Sequence, residues 1–307
     1  MKLIQTAKEL GNGSRPVCLA IGVFDGVHLG HQQIIRQMVT AARQADAVAL
    51  VVTFDQHPNA VVAPDRVPPR IYARSQKWRA LADLGVEAVL EIPFDRPFSE
   101  KTGDRFVREL ARDWGNLQRV CVGEDFVFGY RRSGNVALLQ TLGAELHFQV
   151  AGLAPLTLDG QVVSSTRIRE MIRGGNLDLA SQMLGRPYAI CGPVVAGDQI
   201  GRQLGFPTAN LEISNLILPP NGVYAAKTKV HEVCYPVALN IGLRPTVAAD
   251  APQLRAEAYL LNFSGSLYGL ELELEMGVKL RNEMRFASPA ELRAQIEQDV
   301  ARVRAGA

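Results

Sequence analysis

The feature that most narrows the fold is an alternation in the first half of the chain. Continuous apolar runs at residues 17–24, 47–54, 88–93, 119–123 and 146–151 are interleaved with helical patterns at 31–45, 75–84, 102–113 and 135–142. In the first helical pattern Ile34, Ile35, Met38, Val39 and Ala42 mark one face. Strands that are apolar throughout are buried on both sides. Such strands separated by helices predict a parallel sheet covered on both faces, an α/β arrangement.

The pattern changes near Gly185-Arg186-Pro187. Beyond it the runs are strand-like, at 188–196, 222–230, 233–241, 257–263 and 270–280. Turn chemistry separates several of them, such as Pro219-Pro220-Asn221-Gly222 and Ser264-Gly265. The series predicts a small barrel or sandwich. Ser288-Pro289-Ala290-Glu291 supplies an N-cap, a proline at the first helical position and a capping-box glutamate. Leu292, Ile296, Val300 and Val303 then form the apolar stripe of a closing helix. A chain of 307 residues suits two domains at ~100–200 residues each, and the change of pattern divides it into 1–184 and 185–307.

Composition excludes several classes of protein. With 33 basic and 31 acidic residues the net charge is +2, which offers no general surface for nucleic acid or membrane. No apolar run approaches the ~18 residues of a membrane span. The N-terminus lacks the basic-then-apolar pattern of a secretion signal. Cys18, Cys121, Cys191 and Cys234 lie far apart with no C-x-x-C pair, against a disulfide scaffold or structural zinc site and in keeping with a reducing compartment. The expectation is a cytoplasmic protein with no nucleic-acid or membrane partner. The sequence assigns no oligomeric state.

The sharpest local signal is Gly22-Val23-Phe24-Asp25-Gly26-Val27-His28-Leu29-Gly30-His31, where the first strand hands over to the first helix. Open parallel sheets bind ligands at the carboxyl ends of their strands. Glycines let backbone approach a phosphate closely, and the helix N-terminus near His31 offers free N–H groups. Both imidazoles can point into one loop and donate to phosphate oxygens, stabilising charge that develops at phosphorus. The same spacing also suits a metal pair or packed side chains. In Ser164-Ser165-Thr166-Arg167-Ile168-Arg169 the hydroxyls serve as a plain helix cap or as phosphate ligands, with Arg169 able to clamp a departing pyrophosphate. Gly123-Glu124-Asp125-Phe126-Val127-Phe128-Gly129 ends a strand and either lines a base or flavin pocket or adds Phe126 and Phe128 to the core.

In the second half Gly197, Gly201 and Gly205 punctuate a loop before Phe206-Pro207-Thr208-Ala209-Asn210. Thr208 and Asn210 are two apart and face one side of an extended chain. A hydroxyl and an amide oxygen suit Mg²⁺ beside ATP phosphates; the alternative is that both finish a turn. Glu257 opens an apolar run, where it is either a solvated strand-start residue or a general base for an alcohol attacking phosphorus.

Taken together, these runs resemble the bifunctional riboflavin kinase/FAD synthetase family. GVFDGVHLGH at 22–31, GEDFVFG at 123–129 and SSTRIR at 164–169 are similar to its nucleotidyltransferase module. GRQLGFPTANL at 201–211, PPNGVYAA at 219–226, ALNIGLRPTV at 238–247 and the run from Glu257 to Gly269 resemble its riboflavin kinase module. The family commonly reads T-F-D-P-H-P where this chain has Gln56 between Asp55 and His57. The resemblance implies an N-terminal Rossmann-like nucleotidyltransferase domain and a C-terminal six-stranded β-barrel with the closing helix packed against it.

It also implies riboflavin, FMN and ATP as ligands, with ATP the co-substrate and Mg²⁺ on its phosphates. One module would make FMN from riboflavin; the other would join FMN to ATP, giving FAD and pyrophosphate. By motif match His28 and His31 are catalytic, and Gly22, Phe24, Asp25, Gly26, Gly30, Asp125, Ser165, Thr166 and Arg169 surround the adenylylating ATP. Gly197, Gly201 and Gly205 cover the kinase nucleotide, Thr208 and Asn210 bind Mg-ATP, and Glu257 activates the 5′-hydroxyl of the ribityl chain. Arg281, Glu283 and Phe286 match a segment near the flavin. Other readings are a chain with one active module, an H-x-G-H half that adenylylates another phosphate ester, against which the Phe24-Asp25-Gly26 wording argues, and a flavin- or nucleotide-binding regulator without turnover. Catalytic-type residues in both halves argue against the first and the last.

Overall fold

The computed structural model describes residues 1–10, 15–197, 199–244 and 253–306. The chain forms two compact units. Met1–Pro69 and Arg74–Ser165 make the first, and Arg70–Ala73 and Thr166–Ala307 the second.

In the first unit, strands β1 (Lys2–Ile4), β2 (Val17–Ile21), β3 (Val48–Phe54), β4 (Ala88–Ile92), β5 (Leu117–Gly123) and β6 (Gln149–Leu153) form one sheet in the order β1-β4-β3-β2-β5-β6. Every neighbouring pair is parallel. Helices α1 (Leu29–Gln44), α2 (Asn59–Val62), α3 (Arg74–Asp83), α4 (Arg96–Ser99), α5 (Gly103–Trp114) and α6 (Val136–Leu146) connect them, and a small hairpin, β7 (Thr157–Leu158) with β8 (Gln161–Val162), follows. All five residues of β2 are buried, and they alternate between two cores. Val17, Leu19 and Ile21 pack with Phe106 of α5 and Leu139 of α6, while Cys18 and Ala20 pack with Ile35 and Met38 of α1 and Leu81 of α3. This two-sided burial is what the unbroken apolar runs encode. The sequence reading did not include β1, a three-residue edge strand in which only Ile4 is buried.

The second unit holds most of α7 (Ser165–Arg173) and all of α8 (Leu177–Leu184). Strands β9 (Ala189–Val195), β10 (Ala209–Leu211), β11 (Gly222–Val230), β12 (Val233–Arg244), β13 (Gln253–Leu260) and β14 (Glu271–Arg281) close into an antiparallel barrel, β10-β13-β12-β11-β14-β9. Helices α9 (Ile200–Gln203) and α10 (Pro289–Arg304) complete it. Val237, Leu239 and Ile241 of β12 are fully buried, whereas Ala238 and Asn240 between them are only half-buried. Val300 and Val303 of α10 are buried in a cluster with Val223 and Leu280, with Ile296 packed against it. Ser288 Oγ caps α10 by accepting from Glu291 N at 3.2 Å, and Glu291 reaches back to Ala287 N at 3.1 Å.

Arg70–Ala73, although early in the chain, is built into this unit. Arg70 N donates to Asn215 O and Ile217 N to Arg70 O, both at 2.7 Å. Ile71 and Tyr72 are buried, and the Arg186 guanidinium lies 4.8 Å over the Tyr72 ring.

One expectation changes. The strand read as 257–263 runs from Gln253 to Leu260, so Glu257 sits mid-strand and not at a strand start. The polar Gln253 and Arg255 hid its beginning, and a left-handed Asn262 (φ 61°) turns the chain soon after its end. Helix α8 and the three-residue β10 were not anticipated. Asp198 of the glycine loop and residues 245–247 of the ALNIGLRPTV run lie outside the described residues. All four cysteines are free, and only Cys234 is exposed.

Candidate active sites

Strand order in the first unit reverses between β2 and β5. From β2 the chain fills the sheet outward through β3 and β4, and β5 and β6 then take the other side. A crevice at the carboxyl ends of strands opens at such a switch point. The loop after β2 is the glycine–histidine run, and the loop after β5 is the GEDFVFG run. Two motifs about 100 residues apart thus leave neighbouring strands at one edge.

The histidine loop is tightly specified. Phe24 (φ 52°), Gly26 (φ 76°) and Val27 (φ 39°) all adopt left-handed backbone. For a β-branched residue such as Val27 this costs of order 1–3 kcal/mol and persists only when surroundings over-determine it. Here Gln32 Nε2 donates to Val27 O at 3.0 Å, and Ser165 Oγ donates to Asp25 O at 3.0 Å. His28 is the N-cap of α1, its Nδ1 accepting from His31 N at 3.4 Å. A neutral His28 then carries its proton on Nε2. The two imidazoles stack with centroids 3.6 Å apart and planes 19° off parallel. A Cβ on Gly30 would come within 3.3 Å of the His28 ring, so the glycine makes room for the pair. Phe24 is fully buried, its ring edge-on to His31 at 5.2 Å, a prop for the imidazole.

Next to this loop, Gly22 and Val23 form one end of a cavity of about 640 Å³. Its walls are aromatic. Phe126 and Phe128 stack at 5.2 Å, Phe54 meets Phe94 edge-on at 5.2 Å, and Phe94 meets Phe98 at 5.4 Å. Arg96, Lys101, Arg131 and Arg132 add positive charge. Phe126 and Phe128 therefore line a pocket, while Asp125 is exposed beside Gly123 and is not among its walls. The sequence reading missed Phe54, Phe94 and Phe98; Phe94 lies in the loop after β4 and Phe98 in the short α4 that follows, and their position just past a strand end was the available signal. Gln56, the departure from the family pattern, donates Nε2 to Phe94 O at 2.9 Å, and Asp55 Oδ1 accepts from Phe94 N at 2.9 Å. Both hold the Phe94 loop. Thr166 and Arg169 follow Ser165 in α7 and belong to the second unit, where Arg169 is buried.

The second unit has its own cavity, of about 340 Å³. Across three adjacent strands, Asn210, Glu257 and Asn240 are direct register partners, and all three line it. Thr208 joins them just before β10. Asn210 Oδ1 is buried with no hydrogen-bond partner among the described residues. A buried orphan oxygen is costly unless something binds it. A neutral, hard amide oxygen beside a hydroxyl and a carboxylate fits Mg²⁺ with ATP phosphates. Gly197 has to lack a side chain, because a Cβ there would collide with the Asn210 amide. Gly201 packs as closely on Phe206 O, and Gly205 uses φ 90°. Of the three loop glycines only Gly201 lines the cavity.

The same register row continues through Val223 of β11 to Arg281 of β14, and Arg281, Glu283 and Phe286 also line the cavity. Arg281 is held by Asp299 of α10, with Nε 3.0 Å from both carboxylate oxygens and Nη2 2.8 Å from Oδ2. The pair is nearly buried, and Gln295 Nε2 adds a bond to Asp299 at 3.1 Å. Breaking such a pair by removing one partner costs several kcal/mol. Glu283 accepts from Asn221 Nδ2 at 3.2 Å in space left by Gly242. Asn240 and Asp299 were not predicted; a lone amide at an alternating position of an apolar strand was the visible sign of the first.

Comparisons with known proteins identify the family. Residues 12–167 match the FAD synthetase family model and residues 184–306 the riboflavin kinase model. The bifunctional riboflavin kinase/FMN adenylyltransferase of Escherichia coli strain K12 is 39% identical over 301 residues, 97% of this chain and 96% of the relative. Those of Haemophilus influenzae and Pseudomonas fluorescens are each 36% identical, covering 97% and 99% of this chain and 97% of each relative. A crystal structure from Streptococcus pneumoniae, described as a macrolide-efflux protein, aligns with TM-score 0.83 and 27% identity over 98% of both chains. In the present chain no helix among the described residues is long and apolar enough to cross a membrane.

Proposed function

The chain belongs to the bifunctional riboflavin kinase/FMN adenylyltransferase family, and we propose that each of its two cavities serves one step of that chemistry. The protein phosphorylates riboflavin to FMN with ATP and adenylylates FMN with ATP to give FAD and pyrophosphate. The observation that carries the assignment is that each unit has a separate cavity beside its own motif.

For adenylyl transfer, an FMN phosphate oxygen bonds to the α-phosphorus of ATP while the α–β bridging P–O bond breaks. The attacking phosphate is already ionised, so positioning and charge stabilisation carry the rate. The aromatic cavity takes the isoalloxazine, with Phe126 and Phe128 stacking against a flat ring. Gly22, Asp25, Gly26 and Gly30 let the triphosphate approach, with Phe24 behind them and Asp125 at the nucleotide side. His28 donates from Nε2, His31 supports the same oxygens, and Ser165, the last residue of the first unit, is the hydroxyl beside the leaving pyrophosphate.

For riboflavin phosphorylation, Glu257 accepts the 5′-hydroxyl proton as that oxygen bonds to the γ-phosphorus and ADP leaves. Arg281, Glu283 and Phe286 hold the flavin in the same cavity. Thr208 and Asn210 would hold Mg²⁺, and Gly197, Gly201 and Gly205 shape the turn that covers the nucleotide. When bound, the ion neutralises phosphate charge. The adenylyltransferase domain is assigned to 1–184 and the kinase domain to 185–307. The protein is assigned to the cytoplasm, with neither nucleic acid nor membrane as partner.

Chromatographic separation of flavins after incubation with riboflavin, ATP and Mg²⁺ tests the assignment. Glu257→Ala should abolish FMN formation yet still convert supplied FMN to FAD. His28→Ala with His31→Ala should stop at FMN. A variant that leaves both steps near normal removes its residues from the site.

A further inference from the structure

Lys77 lies on α3, outside every motif that identifies the family, yet it reaches the histidine loop. Its Nζ donates to Val23 O at 2.6 Å and to Thr53 Oγ1 at 2.7 Å. Thr53 Oγ1 in turn donates to Val23 O at 3.2 Å, and Thr53 is fully buried. The three groups form a closed triangle joining the loop after β2 to the end of β3. The ammonium also sits 5.2 Å over the Trp78 ring, and Arg74 lies 5.7 Å over the same ring while pairing with buried Glu91. A charge-assisted bond is roughly twice as strong as a neutral one. Its target is informative: Val23 is the residue before Phe24, the first of the left-handed positions that turn the chain toward His28 and His31.

We propose that Lys77 is a positioning residue for adenylyl transfer, pinning the Val23 carbonyl so that the strained loop presents His28 and His31 to the triphosphate. The inference rests on the reading of that loop as the ATP site. Lys77 touches no substrate in this role and acts through Val23. Its loss should displace the loop while the distal aromatic walls at Phe94, Phe98 and Phe128 stay in place. The two substrates of one reaction should therefore respond differently.

The test is steady-state kinetics on the full chain, with rates referred to the folded fraction at assay temperature. In Lys77→Met, kcat for FAD formation from supplied FMN should fall about 10–100-fold and KM for ATP should rise about tenfold, since a displacement near 1 Å can cost that much. KM for FMN should stay within about threefold, and riboflavin phosphorylation in the second unit should be unchanged. A merely structural role would not split the two KM values. Thr53→Val should give the same split with a loss of about threefold or more, and the double variant should lose no more than Lys77→Met alone, because members of one hydrogen-bonded unit are not additive. An unchanged kcat in either folded single variant, or losses that multiply in the double variant, overturns the proposal. His28→Ala with His31→Ala run alongside separates the two ideas. FAD formation surviving there sinks the site reading; loss there with Lys77→Met unaffected sinks only this inference.

Discussion

Cys121 shows how position alone decides what a side chain can do. It is fully buried in β5, and burial pushes its thiol up to about 12, with Cys18 nearby adding to the rise and Arg119 opposing it. The folded state thus holds the thiol proton more firmly than the unfolded chain does. That contribution is complete below the ordinary thiol value and is lost as pH rises through the folded one. Between about pH 8 and pH 10 the parent should lose on the order of 1 kcal/mol more unfolding free energy than Cys121→Val, measured by urea titration at both pH values. Parallel curves would show that the thiol is not desolvated. At this scale the motif residues were legible because their chemistry is unusual where they stand: two histidines around a glycine, or a carboxylate in an apolar run. Lys77 and Asp299 were not, because a lysine or aspartate on a helix reads as solvated until the fold aims it inward.

Among elements, α10 was the most legible because its signals are local. Ser288, Pro289 and Glu291 announced its start, and the four-residue stripe announced its buried face. Ser288→Ala should cost about 1 kcal/mol in thermal unfolding of the second unit. Because α10 also contributes Leu292, Ile296 and Asp299 to the cavity wall, the same change should raise KM for riboflavin and leave adenylylation of supplied FMN untouched. An unaltered KM would mean that the capped turn does not brace the cavity. Strands β1, β10 and β13 were less legible for a shared reason. Two are only three residues long, and the third begins with polar residues, so their pairing depends on partners distant in sequence.

For the molecule as a whole, the separation of the two cavities predicts complementation. Mixed Glu257→Ala and His28→Ala/His31→Ala proteins should together convert riboflavin to FAD, FMN made by the second passing through solution to the first. Failure of the mixture, with each single step intact, would mean that free FMN is not the shared currency. The change of pattern near 185 was visible in the sequence, but the division of the fold at Ser165 and the insertion at Arg70–Ala73 were not, since both depend on tertiary packing.

That short insertion has a genetic consequence. Because the chain enters the second unit, leaves it and returns, no single break in the gene separates the two units completely. A fragment starting at residue 185 would lack Ile71, Tyr72, Ile168, Ile172 and Met183, all buried in the whole protein and all in the second unit. A single cut at 185 therefore does not follow the border between the two compact units, which the backbone crosses more than once.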